Sequence, residues 1–98
     1  MSESLKIIWS DEAKADLRET YYNLLEKNSK EVAFKIRAEI FLAPESIVFP
    51  EQYQIDEYSF KYRRIVVKNF KIFYTHKDNI INIISVFNTH RHPSKIRG

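Results

Sequence analysis

The chain has 98 residues, enough for one domain built around a single two-layer core. Hydrophobic residues make up 44% and charged residues 30%, a balance that suits a folded domain rather than a disordered one. There is no cysteine and the one glycine is Gly98, which excludes disulfides, thiol nucleophiles, Cys-ligated zinc and glycine-rich phosphate loops. No apolar run nears the roughly 20 residues of a membrane span. The first residues, Met1 to Ser4, lack the basic-then-apolar layout of a secretory signal, so a cytoplasmic protein is expected. Charge is divided unevenly: residues 1–57 carry 7 Lys/Arg against 12 Asp/Glu, and residues 58–98 carry 9 against Asp78 alone. So basic a segment suits a polyanion or an acidic protein as partner.

Leu5-Lys6-Ile7-Ile8-Trp9 is β-rich and partly alternating, which predicts a short strand. Ser10 then stands before Asp11 and Glu12, an N-cap followed by acids that favour the positive end of a helix dipole. Ala13, Leu17, Tyr21, Leu24 and Leu25 form one apolar stripe, so a helix is predicted over about 11–27. Ser29 is a second N-cap candidate. The following helix is apolar over much of its circumference, which predicts burial on more than one side, and Pro44 ends it. The short break makes the pair an antiparallel hairpin.

Residues 44–57 form a connector that Ile47, Val48, Phe49 and Tyr53 should pin to the body. Three strands follow, over 58–67, 70–76 and 80–87, joined by turns too short for parallel crossovers. The domain, 1–98, is therefore α+β in the order β-α-α-β-β-β. A helical hairpin covers one face of a twisted, mainly antiparallel sheet, and a basic tail over about 88–98 is expected to be mobile.

The two-residue turn Lys68-Asn69 sets Val67 opposite Phe70, Ile65 opposite Ile72 and Arg64 opposite Phe73. One face collects Ile65, Val67, Phe70 and Ile72, with Arg63 and Tyr74 toward its rim. With Leu17, Tyr21, Leu24, Ile36, Ile40 and Phe41 these make the predicted core. The other face collects Tyr62, Arg64, Val66, Lys71, Phe73 and Thr75. Cations interleaved with aromatics suit a single-stranded nucleic acid, although an ordinary solvated face has the same look.

Other chemistry finds little support. His90 and His92 have no carboxylate companions in the tail, so neither a metal nor a cofactor is predicted. Asp11, Glu12, Asp16 and Glu19 read as dipole and surface charges rather than paired catalytic acids.

Three stretches, WSDEAKADLRETYYNL, FPEQYQIDE and YRRIVVKNFKIFYTHKDNIINIISVFNTHRHPSKI, together resemble the RelE/ParE superfamily of toxins from bacterial type II toxin–antitoxin systems. The resemblance implies the same fold, growth inhibition, and a cognate antitoxin as partner. It also implies one of two targets: DNA gyrase, as in ParE-like members, or mRNA in the ribosome, as in RelE-like endoribonucleases. In the second case Arg64, Lys71 and His90 or Arg91 would carry catalysis by charge stabilisation. Lys71 stands where RelE-like members usually have arginine, which loses the bidentate fork, and no late tyrosine follows. These departures favour the gyrase branch. Lys61, Tyr62, Arg63, Arg64, Lys71, His92, Lys95 and Arg97 are the residues expected to contact the target.

Overall fold

The computed structural model describes residues 4–90. Its elements are β1 (Lys6–Trp9), α1 (Asp11–Lys27), α2 (Lys30–Leu42), a 3-10 turn (Ala43–Ser46), β2 (Arg63–Val67), β3 (Phe70–Lys77) and β4 (Ile80–Asn88). The four strands lie in the order β1-β4-β3-β2. β1 runs parallel to β4, while β2–β3 and β3–β4 are antiparallel. The helices pack against this sheet, as the order of the segments implied.

Both helices start where a serine caps them. Ser10 Oγ accepts from the Ala13 amide at 3.0 Å, and Ser29 Oγ accepts from the Val32 amide at 3.2 Å. Ser10 does more, since its hydroxyl also donates to the Ile84 carbonyl at 3.0 Å. There the β3–β4 register slips: Phe73 pairs with Ser85 but Tyr74 pairs with Ile83, so Ile84 is the extra residue of a β-bulge. Beyond the bulge, Asp16 of α1 accepts from the Val86 amide at 3.0 Å. Asp16 is thus a tie between helix and sheet, not the surface charge its sequence context suggested. Burial pushes its carboxyl above the ordinary value. The Val86 amide opposes that shift, and the charges of Glu12 and Glu19 add to it.

The core lies between the hairpin and one sheet face. Leu17, Ile40, Ile65, Phe70, Ile72, Tyr74, Ile81 and Ile83 are buried in it, with Leu24, Ile36 and Val67 packed partly buried against them. The β2–β3 register is the one the Lys68-Asn69 turn predicts. The positive φ falls on Lys68 (54°). Phe41 departs from expectation: it is 45% exposed and stacks on Trp9, with ring centroids 5.4 Å apart. The burial of α2 on several sides is also corrected. Only the stripe through Ala33 and Ile40 is fully covered, leaving Val32, Phe34, Phe41 and Leu42 exposed.

The predicted strand over 58–67 is shorter, beginning at Arg63. Upstream, the connector is held mainly by polar ties. Tyr74 Oη donates to the Pro50 carbonyl at 2.8 Å and Arg63 donates to the Tyr53 carbonyl at 2.9 Å. Ile47 is buried and Tyr53 half-buried, but Val48 and Phe49 are exposed and pin nothing. Ile55 then bridges Arg63, laying residues 54–56 along the outer edge of β2.

Candidate functional site

The sheet face away from the helices carries the two cations singled out above. Arg64 on β2 and Lys71 on β3 sit diagonally across the hairpin, in the pairs Arg64–Phe73 and Val66–Lys71. Period-2 alternation sends both side chains to the same side. Neither is free. The side chains are only 13% and 12% exposed, and both converge on the fully buried carboxylate of Asp56.

Asp56 reaches them because of a local turn. Its amide donates to the Tyr62 carbonyl at 2.8 Å, and the Tyr62 amide returns to the Ser59 carbonyl at 3.0 Å. Asp56 Oδ2 accepts from the amides of Tyr58 and Ser59, both at 3.0 Å. An aspartate satisfying the amides that follow it offers the backbone an alternative to a strand, which is why 58–62 turns instead of extending. Asp56 Oδ1 is left to the cations, with Lys71 Nζ at 2.7 Å and Arg64 Nε at 3.4 Å. Burial pushes the Asp56 carboxyl up. The hydrogen bonds from Lys71, Tyr58 and Ser59 outweigh it and hold the group below the usual carboxylate range.

The surroundings are aromatic. Lys71 Nζ lies 5.0 Å from the Tyr58 ring centroid, and Tyr62 packs against Phe73 at 6.1 Å. Phe73 is buried on this side, so the face is not simply open to solvent. The Arg64 guanidinium also reaches Glu57 at 3.9 Å and, with the Gln54 amide oxygen turned toward it, Gln54 at 2.8 Å. Ser59 Oγ is buried without a hydrogen-bond partner, and Arg64 Nε has its ion pair with Asp56 alone.

The other expected residues do not join this cluster. Arg63 points to the rim of the core face and ties down the connector. Lys61 is exposed and Tyr62 half-buried nearby. His90 is exposed and lines a different cleft of about 420 Å³, with Asn23 and Lys27 of α1 and with Asn69 and Asn88. Arg91, His92, Lys95 and Arg97 lie outside the described residues. Of the four side chains a nuclease would draw on, the structure brings together Arg64 and Lys71 and sets His90 apart.

Sequence reading overlooked Asp56, whose one signal is an acid followed at the third residue by serine, just ahead of a basic strand. It also overlooked a second surface, a groove of about 470 Å³ on the outside of the helical hairpin. The Trp9–Phe41 stack, Tyr21, Lys14, Arg18 and Arg37 line it, and Arg37 lies 5.8 Å from the Phe41 ring. Among the described residues no three His, Asp or Glu side chains gather to hold a metal, and no helix is long and apolar enough to cross a membrane.

The model of a family described as the ParE toxin of the type II toxin–antitoxin system parDE matches residues 7–93. A solved structure described as the chromosomal ParDE toxin–antitoxin system from P. aeruginosa superposes with a TM-score of 0.75 at 20% identity. The superposition covers 89% of this chain and 98% of that one, and at this identity the likeness speaks for the fold. No curated protein is significantly similar in sequence.

Proposed function

Because the chain belongs to the ParE toxin family of type II toxin–antitoxin systems, we propose that it arrests growth by binding DNA gyrase and does not cut RNA. One observation carries this reading: Arg64 and Lys71 are already engaged by the buried Asp56. Metal-independent cleavage of RNA needs cations aimed at the charge that develops on the phosphorane. Cations committed to an internal carboxylate are poorly placed for that. A toxin that works by binding has no such requirement, and for it the cluster serves to rigidify the hairpin. The antitoxin that neutralises the toxin is the second partner. The groove on the hairpin, with its exposed aromatics and three cations, suits an acidic segment with apolar anchors.

The test is induced expression with two readouts from the same culture, primer extension on mRNA and plasmid supercoiling, together with gyrase supercoiling by purified toxin. Intact mRNA with relaxed plasmid and inhibited gyrase is expected. Ribosome-dependent cuts with unaffected gyrase would reverse the assignment.

A further inference from the structure

Resting on the gyrase reading above, we infer that the toxin grips the enzyme through the turn at residues 58–61 and the neighbouring Val66. Together they make an apolar docking surface at the sheet face away from the helices. The surface it fits on gyrase is folded protein with an apolar pocket and an acidic margin.

Exposed apolar side chains gather here without serving the core. Val66 pairs across the hairpin with Lys71, and the Tyr58 ring centroid lies 5.0 Å from Lys71 Nζ, so both flank the same lysine. Phe87 of β4 pairs with Lys71 from the other side and continues the row, half-buried. Tyr58 and Val66 are each 57% exposed, and Phe60, two residues further along the turn, is 80% exposed. A phenylalanine so exposed adds little to the fold, and a patch of such side chains marks a surface that another molecule covers.

Charge indicates what covers it. Arg64 and Lys71 belong to this face, but Asp56 and Glu57 balance them. Lys61 is exposed and, among the described residues, has no ion pair. An aromatic patch around a neutralised cluster has the composition found at the centre of interfaces between folded proteins. Lys61 at its margin calls for an acid opposite. The hairpin groove is the contrary case, with Lys14, Arg18 and Arg37 and no acid in its lining, and it suits an acidic chain. The turn is also held ready. Asp56 accepts from the Tyr58 and Ser59 amides, and the Tyr62 amide donates to the Ser59 carbonyl, so the backbone is fixed on both sides of Phe60. Anchors already in place lose little freedom on docking.

The test titrates purified gyrase, free of DNA, with toxin by biolayer interferometry and reads supercoiling inhibition on the same samples. Phe60→Ser and Tyr58→Ser should each weaken both at least about tenfold, the scale of an interface anchor. Phe60→Trp should act as wild type, and Lys61→Glu should slow association more than it speeds dissociation. Phe34→Ser, which removes an exposed ring from α2, should change neither reading. Phe60→Ser should keep the melting temperature within about 4 °C of wild type, as for a surface substitution. Hydroxyl-radical footprinting of wild type needs no variant, and gyrase should shield Tyr58 and Phe60. Sedimentation of the toxin alone should give wild type and Phe60→Ser the same mass. Wild-type inhibition that Phe60→Ser and Tyr58→Ser retain would overturn the docking surface and leave the gyrase reading standing. A wild type that neither binds nor inhibits gyrase would overturn both. The surface would also be overturned by binding that requires DNA, by a loss that Phe34→Ser matches, or by footprints on the hairpin groove instead. A toxin dimer that Phe60→Ser dissociates would overturn it by giving the patch to a second copy.

Discussion

Replacing Lys71 by alanine should destabilise the fold, and this matters because the same substitution is the obvious probe for nuclease activity. It removes the 2.7 Å partner of a carboxylate with no solvent exposure. Breaking a buried ion pair from one side costs about 3–5 kcal/mol when the remaining charge is stranded. Here Arg64 Nε stays at 3.4 Å and two amides continue to donate, so a smaller loss of about 2–3 kcal/mol is expected. For a domain of this size that corresponds to a fall in melting temperature of roughly 10–20 °C. The assay is urea and thermal unfolding by circular dichroism on a cycle of Lys71→Ala, Asp56→Ala and the double variant. The double variant should recover a coupling of about 2 kcal/mol relative to the sum of the singles. Salt should change the cycle little, since the pair is buried. Asp56 titrates below its unfolded value, so its contribution is complete above about pH 4 and is lost as the pH falls through the native pKa. A Lys71→Ala loss under about 0.5 kcal/mol, the scale of a surface pair, would refute the reasoning. So would an additive double variant.

Ile72 has no exposed surface, so Ile72→Ala should cost about 2–5 kcal/mol in urea unfolding with an unchanged m-value. Ser10→Ala removes both the cap on α1 and the bond to the Ile84 bulge, and should cost about 1–2 kcal/mol by the same measurement. Asp16 has the opposite sign from Asp56. Its native pKa is raised, so its charge costs stability above that pKa and the cost is relieved as the pH falls through it. Asp16→Asn should therefore raise the melting temperature at pH 7, with an advantage that closes in acid. A variant equally favourable at every pH would count against burial as the cause.

What was legible in the sequence was local. Ser10 and Ser29 cap the helices where their spacing said, and α1 spans Asp11–Lys27 as the stripe predicted. The Lys68-Asn69 turn fixes five strand pairs because a two-residue connection leaves one register. Misses arose where a partner comes from elsewhere. Tyr58 and Phe60 look like strand residues until Asp56 captures the following amides. Phe41 looks like core until the hairpin turns it toward Trp9, and α2 has more apolar surface than the sheet can cover. Arg64 and Lys71 look like free cations because their counter-charge lies in a connector with no strand or helix pattern. Nothing local announces the parallel pairing of β1 with β4, since Lys6 and Ile80 are far apart in sequence.

That pairing dictates an order of assembly. β1 is made first, yet the strand it lies against is the last, and Ser10 and Asp16 wait for the bulge and edge of that same strand. The helical hairpin can form early from neighbours, whereas closing so long a loop is a late and slow event. A nascent toxin that has not yet exposed residues 80–88 outside the ribosome has no completed sheet. It is therefore inert toward any target that reads the folded face. Ribosome-bound chains arrested before residue 80 should be cut readily by protease within β1 and α1, and chains arrested long enough to free Asn88 should resist. Equal resistance in both would mean that the N-terminal half folds on its own.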